Sequence, residues 1–541
     1  MSFVFMLRGQ IKKNIAGITH FFCNASVSRI FVIFSVLAVL LVCIFGWVTW
    51  RYSILGRTDD YGFASDAVAY WDLSSSILNG QGLVYDAGSQ HNLGLPSVNF
   101  PTYLHQRLPG YSFFLGLERM VFNLKLPFRF SYVNLLLVAL NCFIFLQLFK
   151  RFFSFNSRLA YFLPAVLLLL APPILIYSNG INSDFLTASL LLYFYYFFTS
   201  SGKLQWLSII FCVLAIFTKS NVLVFVVPFL FFSLLQNKRK YLVFTLIVCV
   251  ILSTGIWSYR NYKLSGYFSL TSMNGVGALR VNYLVPNIWP PNSFARKILF
   301  SDIKNSNEIS RIILVHAGEL GSGMDFDGLE KDVLKVLDSN DRGKWDAIFS
   351  DFKKEKFINQ KYYARWNSWS YIGDYFNKLS TEKNVYYAAF RIDKEITKDV
   401  VEFVFNNKLV ATKTILMYRV PAILAYDIYT RDFSFLVRCL NEPTPMNILK
   451  LAVWGSVIVS FYVLPIVCLF VYLTYMVLVK QFKDDKTVLA CGCVSYFILT
   501  LLVLGVTSRY LMPIYYFILL YLAFYVNHLT IYLKKAYIKK L

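Results

Sequence analysis

The stretches "IFVIFSVLAVLLVCIFGWVTW", "YLVFTLIVCVILSTGIWSY" and "VIVSFYVLPIVCLFVYLTYMVLV" each run for about 20 residues almost without charge, long enough to cross a hydrocarbon layer of roughly 30 Å as helices. A soluble fold would have to bury all of them in one core. With 57% of the 541 residues apolar and only 15% charged, the chain reads as an α-helical multi-pass membrane protein. The first run is expected to persist as a helix, because the "WRYSILGR" that follows it is bulky and basic rather than a small-residue cleavage site.

The net charge of +23 would suit nucleic acid, but the basic clusters "RGQIKKN", "KRFFSFNSR", "NKRK", "KQFKDDK" and "KKAYIKK" flank apolar runs. A positive-inside bias accounts for that placement, so no nucleic-acid partner is expected. With these clusters as cytoplasmic markers, about ten spans thread without conflict: 29–50, 130–149, 159–177, 184–200, 204–218, 220–236, 240–258, 448–478, 487–506 and 509–532. Residues 1–28 are then a cytoplasmic N-terminus. The N-terminal bundle is 29–258 with an external loop at 51–129, the external soluble domain is 259–447, and 448–541 holds the last spans and a basic cytoplasmic tail. The apolar segment 111–124 carries Glu118 and Arg119 and is expected to lie in the outer interface. The external domain has three- and four-residue apolar spacing in "GLEKDVLKVLD" and "EITKDVVEFVFNNKLVATKTILMYRV", which predicts mostly helix. Of the nine cysteines only Cys439 falls in it, so no disulfide framework can be built there.

The acids are distributed unevenly. Of the 30 Asp and Glu, 21 lie in 259–447 and Asp484 and Asp485 in a cytoplasmic linker. The rest are Asp59, Asp60, Asp66, Asp72 and Asp86 of the opening loop, Glu118, and Asp184 in "YSNGINSDF", all on the external side of the threading. Acids at the boundary of a helix bundle are costly unless paired or hydrated, which makes them functional candidates. For Asp184 a helix-capping role is the plain alternative. Arg107, Lys219, Arg260 and Arg509 stand at the same external ends, against the positive-inside trend. Singly, each is explained by snorkelling or a headgroup contact. Together, facing an acidic loop, they suit an anionic or phosphate-bearing substrate. His91, His105 and His316 have no partner at ligand spacing; the residues name no cofactor and leave a divalent metal open. Neither a GxxxxGKS/T phosphate loop nor a GxSxG elbow is present.

Several motifs in order resemble the GT-C superfamily of glycosyltransferases, which take a sugar from a polyprenyl-phosphate carrier and include protein O-mannosyltransferases and lipid A aminoarabinose transferases. The matching residues are Asp66 with Tyr70 and "NGQG" (79–82), "RLPGYSFF" from Arg107, "YSNGINSDF" with Asp184, "TKSNVLVF" with Lys219, "WSYRNY" with Arg260 and Asn261, and "SRYLMP" with Arg509 and Tyr510. The chain departs from the family pattern at Ala67, Leu108 and Ser220. The resemblance implies an inverting transfer at the external face of a bacterial cytoplasmic membrane, from a polyprenyl-phosphate-linked sugar to a glycan, lipid or protein acceptor. It implies Asp66 as general base or acceptor-orienting carboxylate, with Asp184 shaping the same pocket. It further implies Arg260, Lys219, Arg107 and Arg509 as donor-phosphate residues, and Tyr70, Asn261 and Tyr510 in the substrate pocket. Two rival classes share the chemistry. A flippase or transporter of lipid-linked saccharide would want repeats and mid-membrane charges. An O-antigen polymerase or ligase also has a large late external loop, but it does not predict Asp66 and Tyr70 straight after the first span.

Overall fold

The computed structural model describes residues 27–51, 65–80, 108–123, 132–153, 161–179, 183–236, 239–272, 326–354, 378–415, 459–479, 484–502 and 511–538, with shorter pieces at 181, 298–313, 375 and 444–457. Among the described residues all regular structure is helical. The helices are α1 (Val27–Arg51), α2 (Ser65–Leu78), α3 (Gly110–Phe122), α4 (Tyr132–Phe152), α5 (Phe162–Leu169), α6 (Pro172–Tyr177), α7 (Ser183–Phe198), α8 (Leu207–Thr218), α9 (Leu223–Leu235) and α10 (Lys240–Ser265). After these come α11 (Phe326–Leu334), α12 (Arg342–Lys354), α13 (Val385–Asn406), α14 (Lys408–Thr414), α15 (Leu464–Leu478), α16 (Asp485–Leu502) and α17 (Met512–Ile538).

Among the described residues, five helical stretches are long and apolar enough to cross a membrane: Val133–Phe152, Lys240–Ser265, Gly455–Leu478, Asp485–Leu502 and Met512–Leu529. The protein is a helical integral membrane protein. Arg29–Ile44, Gly202–Thr218 and Ser220–Leu235 are apolar but shorter.

The expected span 159–177 is not one helix. Pro172 and Pro173 have no N–H to donate, so α5 stops, Ala171 turns extended (φ −69°, ψ 106°), and α6 restarts with proline in its first turn. The expected span 448–478 likewise contains a widened π turn at Val459–Val463 before α15 begins.

At the centre stands α7. Only Tyr196 and Phe197 among its residues escape burial, which is the all-round apolar character of a helix with neighbours on every side. It packs against α4, α8 and α17. A polar contact links it to two of them: the Asn141 amide of α4 donates to Ser189 Oγ of α7 and to Tyr516 Oη of α17, each at 2.8 Å.

At one end of the bundle, the linkers bearing "NKRK" and "KQFKDDK" meet. Arg239 pairs with Asp485 at 3.0 Å, Tyr195 Oη donates to the Asp485 carbonyl, and Gln236 donates to the Asp484 carbonyl. Two loops expected on one face of the membrane are thus fastened to each other. Away from the bundle, Ile298, Ile303, Ile309, Ile313, Leu329, Val333, Trp345 and Phe349 form a separate small core, and α13 lies against α10.

Candidate functional site

The opposite end of the bundle gathers the start of α7, the turn between α8 and α9, and the helices α2 and α3. Asp184 occupies the first turn of α7, where the positive end of the helix dipole favours a carboxylate. Lys219 is the extended residue (φ −156°, ψ 117°) that ends α8, and its ammonium forms an ion pair with Asp184 Oδ1. Only 3% of the Asp184 side chain and 17% of the Lys219 side chain is exposed, so the pair is well shielded from water. The adjacent residue Ser183 accepts a hydrogen bond from Tyr70 Oη at 3.0 Å. Tyr70 is buried and meets the ring of Tyr111 edge-on, with centroids 4.7 Å apart.

Glycine makes this convergence possible at one position. A Cβ on Gly110 would lie 2.7 Å from the Phe217 carbonyl carbon and oxygen and 2.8 Å from Thr218 N. The start of α3 therefore runs directly against the backbone that leads into Lys219, an approach only glycine allows. The "RLPGY" element is in this way joined to the Lys219 turn by main-chain packing.

Above α8, Phe217 packs edge-on against Trp257 of α10 with centroids 5.8 Å apart. Arg260 stands one turn further out. Its guanidinium lies 4.7 Å from the Trp257 ring and 5.9 Å from the ring of Tyr386 on α13, and it donates to Asn261 Oδ1 at 3.0 Å. Asn261 is buried, and its amide donates to the carbonyls of Ser269 and Leu270 at 2.8 and 3.1 Å. Asn261 therefore serves as a bracket for Arg260, with both ends of its amide in use. Arg260 makes no ion pair among the described residues, whereas Lys219 already shares its charge with Asp184. Of the two cations, Arg260 is the one with most hydrogen-bonding capacity left for an anion.

Asp66 is the second residue of α2, one turn before Tyr70; its side chain lies outside the described atoms. Arg107, Arg509 and Tyr510 lie outside the described residues, as do His91, His105 and His316. No group of three His, Cys, Asp or Glu side chains gathers among the described residues.

Sequence reasoning missed a second charged cluster beside the first. Asp72 on α2 and Glu118 on α3 are buried. Arg119 lies 3.7 Å over the Trp71 ring and donates to the Trp71 carbonyl, Ser74 Oγ and Ser75 Oγ at 3.0, 2.6 and 2.7 Å. Burial pushes its guanidinium below the ordinary value and the nearby Asp72 carboxylate pulls it back up. This cluster locks α2 onto α3 and so fixes where Tyr70 and the start of α2 stand. Asp72 and Glu118 stood among the boundary acids of the sequence and Arg119 in the interfacial segment, but their gathering depends on how α2 packs on α3, which no spacing along the chain records.

No family model, curated protein or solved structure matches this chain.

Proposed function

We propose that the protein is a membrane glycosyltransferase of the GT-C type. It moves a sugar from a polyprenyl-phosphate-sugar donor to a glycan, lipid or protein acceptor at the outer face of a bacterial cytoplasmic membrane. In this reading ten spans cross the bilayer, α5 and α6 together making one of them, and both termini are cytoplasmic. The observation that carries the reading is the meeting of separate sequence elements at one end of the bundle. Tyr70 reaches Ser183, Asp184 pairs with Lys219, and Gly110 abuts Phe217. These are the elements whose order along the chain resembled the family.

The chemistry follows from the residue types. An acceptor hydroxyl or amine attacks the anomeric carbon from the face opposite the phosphate, the carbon–oxygen bond to phosphate breaks, and the configuration inverts. Asp66 takes the acceptor's proton, and Asp184, held by Lys219, shapes the pocket beside it. Arg260, with Lys219, Arg107 and Arg509, receives the negative charge that builds on the departing polyprenyl phosphate.

Comparing the glycolipids and glycoproteins of cells with and without the gene identifies the product, and loss of no glycan species counts against the proposal. Asp66→Asn should abolish transfer at normal expression and membrane insertion. Near-normal transfer by that variant removes the base assignment.

A further inference from the structure

The helix α13 of the external domain touches the membrane bundle at the residue the donor reading depends on most. Its start is fixed by Asn384, whose side chain accepts from Tyr387 N at 2.7 Å as an N-cap. That cap sets the rotation of the first turn, and two successive tyrosines then meet α10 and its exit. Tyr386 covers the Arg260 guanidinium, and Tyr387 packs against Tyr267 with centroids 5.7 Å apart. A second layer secures the contact. Arg391 pairs with Glu395 at 2.5 Å, Tyr375 Oη donates to Glu395 at 3.2 Å, and the Lys394 ammonium lies 5.3 Å over Tyr267. Hydrogen bonds to Tyr267 and Glu395 hold the Arg391 guanidinium above its ordinary value, so this fastening keeps its charge at any physiological pH.

Arg260 is thus held between Trp257 of its own helix and Tyr386 of the external domain, with Asn261 taking one of its five N–H groups. An arginine on the last turns of an exposed helix end has many rotamers. Two aromatic faces and one amide leave it few, and direct the unused donors along the open edge of the guanidinium. We infer that Tyr386 and Asn261 are positioning residues that preset Arg260 for an anionic headgroup, so that the external domain completes the site by way of α13. The inference rests on the reading of Arg260 as a donor-phosphate residue, and it gives the external domain a part that the family-like motifs did not.

The test uses the full chain in lipid nanodiscs with two readouts. The first needs no substrate: the rate at which an arginine-selective dicarbonyl, phenylglyoxal, modifies Arg260, followed by peptide mass spectrometry. Tyr386→Ala should raise that rate about fivefold, the worth of one partly desolvated cation–aromatic contact, and Tyr386→Phe should leave it within about twofold of wild type. An unchanged rate in Tyr386→Ala overturns the positioning role.

The second readout is binding of a 55-carbon polyprenyl phosphate relative to the matching polyprenol, which lacks the charge. Wild type should prefer the phosphate, Tyr386→Ala should lose about fivefold of that preference, and Tyr386→Phe should keep it. In an Arg260→Ala background Tyr386→Ala should have no further effect, because the tyrosine acts through the arginine. Equal losses in both backgrounds overturn the inference. Should wild type show no preference for the phosphate, the donor reading fails, and the labelling rate alone decides the role of Tyr386.

Discussion

Removing the ammonium from the Asp184–Lys219 pair, as in Lys219→Met, takes the paired cation from a carboxylate of which 3% is exposed. Breaking a buried pair from one side costs about 3–5 kcal/mol. Because 17% of the Lys219 side chain reaches solvent and water can follow it in, the lower end, about 3 kcal/mol, is the expected loss. Asp184→Asn is the milder change, since the lysine left behind can turn outward and the amide still accepts from it; about 1–2 kcal/mol is expected. The double variant should be better than the sum of the two by about 2 kcal/mol, because it removes both charges of the pair together. An unfolding entropy of about 2.1 cal/mol/K per residue over 541 residues turns 3 kcal/mol into a Tm change of about 3 °C. The four proteins compared in one detergent by intrinsic fluorescence should therefore melt in the order wild type, Asp184→Asn, double variant, Lys219→Met. Equal and additive losses in the two single variants would mean that the pair behaves as a solvated surface contact, and the argument from burial would fail.

Gly110→Ala drives a methyl into the Phe217–Thr218 backbone, where atoms lie 2.7 to 2.8 Å away and no side chain can give. A loss of about 1–3 kcal/mol is expected, with transfer activity falling further than stability, while Gly80→Ala, which meets nothing within 4 Å, serves as the control for backbone strain alone. Beside the separate small core, Asp338 and Asp341 lie below the ordinary carboxylate value of 3.8, chiefly through the backbone N–H groups of Asn340 and Lys304. Depressed folded values mean that their stabilisation is complete above about pH 3.8 and disappears as pH falls through the folded values. Hydrogen exchange over 326–354 should accelerate in that acid range, and Asp341→Asn should flatten the dependence; protection that does not vary with acid would refute it.

The helices were legible because their cause is local. About 20 uncharged residues leave few alternatives in a membrane, and α4, α10, α16 and α17 stand near the expected spans. The break between α5 and α6 was written as Pro172-Pro173, yet an apolar window averages over such a pair and returns one span. At the site, Asp184 and Lys219 were conspicuous because each charge stood where an apolar residue was expected. Their pairing was not legible, since it depends on how α7 and α8 pack. The same holds for Gly110, an ordinary loop glycine in sequence whose need shows only beside Phe217. Asn261 read as a pocket residue, and in the fold both ends of its amide are committed to holding Arg260 and the chain that follows.

The length of α10 has a consequence for which changes this protein tolerates. Its 26 residues span about 39 Å, some 9 Å more than the hydrocarbon layer, and the excess holds Arg260 and the platform for α13. Only 28% of its most apolar window is buried, so most of its side chains are not locked in a packed core and one aliphatic residue can stand in for another. Its residue count has no such latitude. Deleting a single residue below Trp257 would lower everything beyond it by about 1.5 Å and swing it by about 100°, turning Arg260 away from Tyr386 and breaking the contact of α13 with α10. Substitutions should accumulate freely along this helix, while insertions and deletions within it should be lost.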